Sequence, residues 1–356
     1  MKIALVTEFF APHIGGMEVR FEKFAEALTC AGMIADIYTI DYTGGLPKHE
    51  KFGKTDVYRY VTIKGYASGT NRNARAVLNY SIATSKLLNK INSEYDLIIV
   101  NQMPVMHLLY MKNYKNVVVD WCEYWPGGIK HMLLKRAAKR FMKGICVSEY
   151  ILKNLKGLNS NGKFKVVYTP IKIRDYKTTR KSESANKLLY VGRLAEHKNL
   201  LNLIEGVTIA NKDRKRKFLL SIAGEGPLLK QVRNAAAKKT FIKVFGAVSD
   251  AEKLRLFKSS DIFVMPSRRE GLPNTLLEAI ASELPIIMVK SRQNNAASFV
   301  ESRGIGIVAT DHSAAAIAKA LLKLDKITVR RIRSKEAALA SLLDFDRVKN
   351  ELNTML

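Results

Sequence analysis

Disulfide chemistry has little to work with in this chain of 356 residues, which holds three cysteines. Cys30, Cys122 and Cys146 leave no even set and no C-x-x-C spacing. A disulfide scaffold is thereby excluded, and reduced, mostly buried thiols in a cytosolic protein are expected. Long apolar runs are missing as well. No stretch approaches the ~20 apolar residues of a spanning helix, and the apolar-rich start is interrupted by Glu8, so it reads as a first strand and not as a leader. The expected location is cytoplasmic, with any membrane contact peripheral and on the inner face. Metal-binding patterns are lacking too. The six histidines are scattered and no D-x-D sits at a suitable strand end, so neither a metal nor another cofactor is expected. Acidic residues are scarce: 32 face 59 Lys and Arg, for a net charge of +27. That imbalance points to an anionic partner, whether nucleic acid, anionic lipid or a phosphorylated substrate.

What is present is a globular composition, 47% hydrophobic and 26% charged, in a length that suits two domains with their own cores. Lys2–Val6, Ala35–Ile40 and Val57–Val61 read as strands, and the near-continuous apolar runs Asp96–Val100 and Val117–Asp120 as strands of a buried parallel sheet. Glu18–Ala31 and Asn73–Ile91 read as helices, and Gly44–Lys54 as a polar connection. Further strands are read at Val166–Tyr168, Leu188–Val191, Phe218–Ala223 and Ile242–Phe245. Alternation of strands with helices gives an α/β protein of Rossmann-like domains. The polar stretch Ile171–Asn186 reads as the linker between them, and Glu336–Leu356 as helical.

The densest signal lies between Asp261 and Val289. Ile262–Met265 is a short strand, Arg268–Asn274 a polar turn, Thr275–Ser282 a helix and Ile286–Val289 a second strand. Glu270 lies in the turn and Glu278 in the helix. With Asn274 or Thr275 as cap, the amides of Leu272–Leu276 are donors at a helix start, where both free N–H groups and the dipole favour an anion. Two cations occur at a comparable place upstream. Gly192-Arg193 closes one strand and Lys198 follows just before a helix start with Asn199 or Asn202 as cap, an arrangement that suits a diphosphate. Gly15 and Gly16 precede another helix and allow a phosphate or sugar close to the backbone, although the loop is not G-x-G-x-x-G.

EGLPNTLLE, from Glu270 to Glu278, resembles the E-x7-E signature of retaining glycosyltransferases with the GT-B fold, family-4 type, the glycosyl transferases group 1. The likeness recurs in P-x-x-G-G-x-E after the first strand, in the V-G-R-L-x-x-x-K stretch of Arg193 and Lys198, in Gly224-Glu225-Gly226-Pro227-Leu228, and in Phe245-Gly246-Ala247-Val248. It implies two Rossmann-like domains facing each other across a cleft. One would span residues 1–172, joined by a C-terminal helix at about 342–356, and the other residues 173–341. It further implies a nucleoside-diphosphate sugar as donor. Gly15 and Gly16 would close on its phosphates, Arg193 and Lys198 bind them with the Gly271, Leu272, Pro273, Asn274 and Thr275 turn, Glu270 take the sugar hydroxyls and Glu278 the ribose. Gly192, Gly224, Gly226, Gly246 and Val248 would line the donor site. Many relatives have a His two residues beyond Asp120, where this chain has Cys122. His13, Cys122 and the neighbouring Glu123 are therefore the candidate contacts to sugar or acceptor.

The resemblance implies a hexosyl-type transfer to a glycan or lipid-linked acceptor. Another GT-B enzyme, such as a nucleotide-sugar epimerase, is the alternative. A nucleic-acid binder fits less well, because aromatics are not interleaved with the basic runs Lys212–Lys217 and Arg330–Lys335. The surplus charge has a second candidate use in Lys130–Lys143. At helical spacing its apolar residues fall on one half, and Lys135, Arg136, Lys139, Arg140 and Lys143 on the other, as a helix lying on an anionic membrane would need.

Overall fold

Strands that are apolar at every position are stable only between two covering layers, and the chain builds two such sandwiches. The computed structural model describes residues 1–13, 15–68, 71–177, 185–212 and 214–353. The chain divides into two units, Met1–Pro170 with Phe345–Leu356, and Ile171–Asp344. Four sequence readings fall partly outside the described residues: position 14 of the glycine loop, positions 178–184 of the linker, position 213 of the basic run Lys212–Lys217 and positions 354–356 of the last helix.

The first unit runs β1 (Lys2–Val6), α1 (Gly16–Cys30), β2 (Ile34–Asp41), β3 (His49–Phe52), β4 (Thr55–Thr62), β5 (Ala67–Ser68), β6 (Asn71–Arg72), α2 (Ala74–Ile91), β7 (Leu97–Asn101), α3 (His107–Tyr110), β8 (Val117–Trp121), α4 (Gly128–Arg140), β9 (Lys143–Cys146), α5 (Glu149–Leu158) and β10 (Lys163–Val166). Its sheet has the order β10-β9-β8-β7-β1-β2-β4-β3, parallel except for β3, which pairs antiparallel with β4. β7 and β8 are buried at every residue. One face is covered by α1 through Phe21, Phe24 and Leu28, and the other by α2 to α5 through Leu88, Leu108, Leu134 and Leu155. Arg20 pins the first layer. Its guanidinium donates to Asp120 at 3.0 and 2.8 Å and to the Val167 carbonyl at 2.8 Å, tying α1 to the ends of β8 and β10.

The second unit runs α6 (Ile173–Tyr176), β11 (Lys187–Val191), α7 (Leu200–Asn211), β12 (Leu219–Ala223), α8 (Leu229–Ala236), β13 (Ile242–Gly246), α9 (Asp250–Ser259), β14 (Ile262–Met265), β15 (Arg269–Glu270), α10 (Asn274–Ala281), β16 (Ile286–Val289), β17 (Gln293–Asn294), α11 (Asn295–Arg303), β18 (Gly306–Ala309), α12 (Ala314–Leu322) and α13 (Lys326–Ala340). Its sheet is parallel throughout, in the order β13-β12-β11-β14-β16-β18. The chain then returns to the first unit as α14 (Phe345–Asn353), whose Phe345, Val348 and Leu352 join the core under α1.

Several readings need correction. Gly44–Lys54 is not only a connection, because it contains the edge strand β3. Its sequence, His-Glu-Lys-Phe, has no alternation of apolar and polar residues, so nothing in it signals a strand without the partner β4. The strand expected at Val166–Tyr168 lies earlier, at Lys163–Val166. The final helix is broken: α13 ends at Ala340, a short turn spans Ser341–Leu343, and α14 begins after Asp344, whose backbone is extended. The C-terminal break follows from Leu343 and Phe345 both seeking burial, in different units.

His107 in α3 is buried, packs edge-on against Tyr80, and hydrogen-bonds the Pro104 carbonyl through Nδ1. Burial depresses its pKa to about 4, from an ordinary 6.5. The unfolded chain therefore binds the proton more tightly, so this contribution to stability is complete above pH ~6.5 and is lost as pH falls towards ~4. Between those limits the wild type should lose about 3 kcal/mol that a His107→Leu variant keeps. Urea unfolding at pH 7 and pH 4 measures the difference; equal losses in both proteins would show that His107 is not the buried neutral group.

Candidate active site in the second unit

Open parallel sheets bind ligands at the carboxyl ends of the strands where the strand order reverses. In the second unit that point is β11, flanked by β12 on one side and β14 on the other. The β11 loop carries Gly192, the exposed Arg193 and, in the tight turn Glu196–Lys198, Lys198. The β14 loop is shaped by β15, which pairs in parallel with β17 so that Glu270 sits opposite Asn294. Alternation along β15 leaves Arg269 in solvent and turns Glu270 inward. Asn294 fixes the turn by donating from Nδ2 to the carbonyls of Ser267 (2.9 Å) and Val289 (3.0 Å).

The result is a direct pair: Lys198 Nζ lies 2.5 Å from Glu270 Oε1, with the two side chains 15% and 8% exposed. Two residues 72 positions apart are thus brought together by the folding of two loops. Exposed ion pairs contribute little, but a shielded one costs several kcal/mol to break by removing a single partner. Beside them, burial and the nearby cations Lys198 and Arg269 lower the pKa of His197.

Glycine is required where the β12 loop crosses the β11 loop. A Cβ on Gly224 would lie 1.9 Å from the Gly192 carbonyl oxygen, at φ +139°, and one on Gly226 would lie 2.5 Å from that of Leu194. The Leu194 amide donates to the Glu225 carbonyl at 2.7 Å across this crossing. These glycines bring two backbones together and thereby set where Arg193 and Lys198 emerge. Gly246 ends β13 and Val248 follows in the adjacent loop, before Ser249 caps α9.

Glu278 is buried in α10 and accepts a 3.0 Å hydrogen bond from Lys253 of α9, which also reaches Asp250 at 3.2 Å. Burial works against the Lys253 ammonium, yet the Glu278 carboxylate outweighs it and raises its pKa. Tyr176 of α6 adjoins the same carboxylate, and burial together with that charge pushes its phenol far above the ordinary range. Glu270 and Glu278 therefore have separate cationic partners. Lys253 and Asn294 were not found from sequence. Lys253 offers only an i, i+3 spacing from Asp250, and Asn294 follows a strand with no motif around it.

The helix start differs from the expected one. α10 begins at Asn274, with extended Pro273 in the cap position and no side-chain cap. Pro273 has no N–H, and the Leu276 amide is taken by the Pro273 carbonyl at 3.0 Å, so the expected run of donors from Leu272 to Leu276 is shorter. Gly271 and Leu272 lie in the loop before it, and Thr275 in the first turn. Asn199 does occupy the cap position of α7, but its side chain donates to the His312 carbonyl and does not cap; Asn202 lies inside the helix.

In the first unit, His13 stacks on Phe9 at 4.4 Å and its Nδ1 is 2.6 Å from Glu18 Oε1. Gly15 and Gly16 open α1, and burial raises the pKa of Glu18 within its first turn. Cys122 and Glu123 are held by an unanticipated residue, Gln102, whose Oε1 accepts both their amides at 2.9 and 2.8 Å. Burial pushes the Cys122 thiol well up, which does not suit a nucleophile. Glu8, also unanticipated, is buried with Tyr66 and Arg72, whose Nε donates to it at 2.9 Å. On α4, Lys135, Arg136 and Lys139 are exposed as expected. Arg140 is exposed too, although its guanidinium donates to the carbonyls of Leu109 and Met111, and Lys143 belongs to β9 with its Nζ at the Lys115 carbonyl. The basic face is smaller than the helical pattern gave, because the helix ends at Arg140.

Gly224→Ala should destabilise the second unit by about 2 kcal/mol or more, from the backbone clash and the strained φ together. Lys253→Met should cost about 3–5 kcal/mol by leaving the Glu278 carboxylate buried alone, and adding Glu278→Gln should recover much of it. Urea denaturation measures both; an unchanged midpoint in Lys253→Met would contradict the pairing.

Residues 172–338 match the family described as glycosyl transferases group 1. An uncharacterized glycosyltransferase of Methanocaldococcus jannaschii is 23% identical over 95% of this chain and 93% of its own length. The capsular polysaccharide biosynthesis glycosyltransferase CapH of Staphylococcus aureus is 29% identical over 37% of this chain and 38% of its own. Among solved structures, Anabaena HepE in complex with UDP superposes with a TM-score of 0.72 at 16% identity, covering 99% of each chain. The protein is a glycosyltransferase with the GT-B fold, its second unit matching the group 1 glycosyl transferases.

Proposed function

We propose that this enzyme is a retaining transferase that moves a hexosyl-type sugar from a nucleoside diphosphate to a glycan or lipid-linked acceptor in cell-surface polysaccharide, lipopolysaccharide or glycolipid synthesis. The observation that carries the reading is the shielded Lys198–Glu270 pair at the switch point of the second sheet. It sets a cation for phosphate directly beside an acceptor for hydroxyl groups. The relative named for capsular polysaccharide biosynthesis and the UDP complex of HepE support the acceptor class and the donor class.

In this reading Arg193 and Lys198 neutralise the diphosphate as the bond from the anomeric carbon to its oxygen breaks, the electrostatic stabilisation that often dominates catalysis. Glu270 accepts hydrogen bonds from the sugar hydroxyls, and Glu278, oriented by Lys253, accepts from the ribose diol. The acceptor oxygen bonds to the anomeric carbon on the face the phosphate leaves, and its proton passes to the departing phosphate oxygen. No protein nucleophile is needed, so the two carboxylates are not a glycosidase pair. The cations of the site supply the charge that a metal would otherwise bring. His13, Cys122 and Glu123 are the acceptor-side candidates. The exposed Lys135, Arg136 and Lys139 of α4 are proposed to meet an anionic membrane, each contributing about 1 kcal/mol near such a surface.

A thermal-shift screen against UDP-, GDP-, ADP- and TDP-sugars should select one base and supply the donor for turnover assays. Arg193→Ala or Lys198→Ala should then lower turnover by about two decades or more, corresponding to ~3 kcal/mol of leaving-group stabilisation each. Near-normal turnover in the double variant would sink the phosphate assignment. Replacing Lys135, Arg136 and Lys139 by Gln should release the protein from anionic vesicles in a sedimentation assay while donor binding is kept. Continued sedimentation would remove α4 from the account.

A further inference from the structure

A groove in the first unit is lined by none of the residues assigned above. It opens between the outer half of β4 and the helix α2, has a volume of about 600 Å³, and falls in the range of small-ligand sites. Val61, Ile63, Ile82 and Leu87 give it apolar walls, and Lys86 and Lys90 stand at its rim. Its shape follows from strand pairing. β3 runs alongside β4 only from Thr55 to Tyr58, so the stretch from Tyr60 onward has no strand beside it on that edge among the described residues.

Charge separates this groove from an ordinary surface depression. None of its lining residues is acidic, and α2 carries no carboxylate along its whole length. Lys86 and Lys90 are one helical turn apart, both exposed, so their ammonium groups lie on one side of the helix. Ile82 stands one turn before Lys86 and is 41% exposed, as is Leu78. α2 packs on α3 and α3 on α4. The acid-free layer thus continues to the helix with Lys135, Arg136 and Lys139 and adds exposed Ile129 and Met132. Apolar walls with two cations at the mouth match a molecule that has a hydrocarbon chain and an anionic phosphate head.

We propose that this groove binds the first segment of the hydrocarbon chain of a lipid phosphate, with the phosphate on Lys86 and Lys90. The inference deepens the functional reading and rests on it, because it selects the lipid-linked member of the two acceptor classes. The chain lies against Val61, Ile63, Ile82 and Leu87, where it loses contact with water, and the ammonium groups hold the head at the rim. A phosphate without a chain leaves the walls unfilled, and a chain without a phosphate leaves the lysines unpaired.

The test uses the full chain and farnesyl phosphate as probe, with farnesol and inorganic phosphate as controls, followed by calorimetry. Farnesyl phosphate should bind at least tenfold more tightly than either control. Lys86→Gln with Lys90→Gln, both on the surface, should weaken it by about thirtyfold. Ala83→Trp, which fills the groove, should abolish binding while the thermal shift with the selected nucleotide sugar stays unchanged. Inorganic phosphate matching farnesyl phosphate, or either variant binding as wild type, would overturn the inference. So would concentration-dependent dimers in sedimentation velocity that Ala83→Trp dissolves, since the groove would then be a self-association face. Donor binding without any farnesyl phosphate binding would reject this site and leave the proposed function standing.

Discussion

The site in the second unit depends on one ion pair, Lys198 with Glu270 at 2.5 Å, and on what makes that distance possible. Neither residue lies on a long element. Lys198 ends a tight turn after β11, and Glu270 sits in a strand of two residues whose partner is no longer. The geometry is enforced by neighbours: Gly224 and Gly226 let the β12 loop press on the β11 loop, and Asn294 ties the β14 loop to Ser267 and Val289. A charge pair built this way is preorganised without a ligand, because each partner occupies the place the other needs it to keep.

The same device recurs at other buried carboxylates. Glu278 has Lys253, and Glu8 has Arg72 and Tyr66. In a protein with a net charge of +27 these carboxylates are a minority surrounded by cations. Each internal pair restrains a positive group that would otherwise be free to take any passing anion, and gives the carboxylate a fixed direction. A substrate with a phosphate and hydroxyl groups can replace both halves of the Lys198–Glu270 pair at once. An inorganic anion satisfies only the lysine and leaves Glu270 buried without it, so the pair favours the larger ligand.

Much of this was legible in the sequence because the parallel strands are continuous apolar runs. Ile262–Met265 and Ile286–Val289 were placed to the residue, and E-x7-E, the Gly-Arg pair and the paired loop glycines marked the ends of strands. What the sequence could not show depends on tertiary partners. β3 exists only because β4 offers an edge, and the guanidinium of Arg140 is tethered because the carbonyls of Leu109 and Met111 lie within reach. Lys253, Asn294 and Gln102 act on residues far along the chain, and nothing local to them carries that information. The expected cap at Asn274 failed for a different reason: Pro273 can fix the chain direction by itself, so the helix starts one residue early.

The most direct measurement is the affinity of the selected nucleoside diphosphate, with and without its sugar, for wild type and for Glu270→Gln. If Glu270 both holds Lys198 and receives the sugar, its loss frees the lysine for phosphate and removes the acceptor for hydroxyl groups. The variant should then bind the plain diphosphate as well as wild type or better, yet bind the sugar nucleotide at least tenfold more weakly. Equal weakening of both ligands, or of neither, would contradict a pair shared between phosphate and sugar, and with it the donor site built around Lys198 and Glu270.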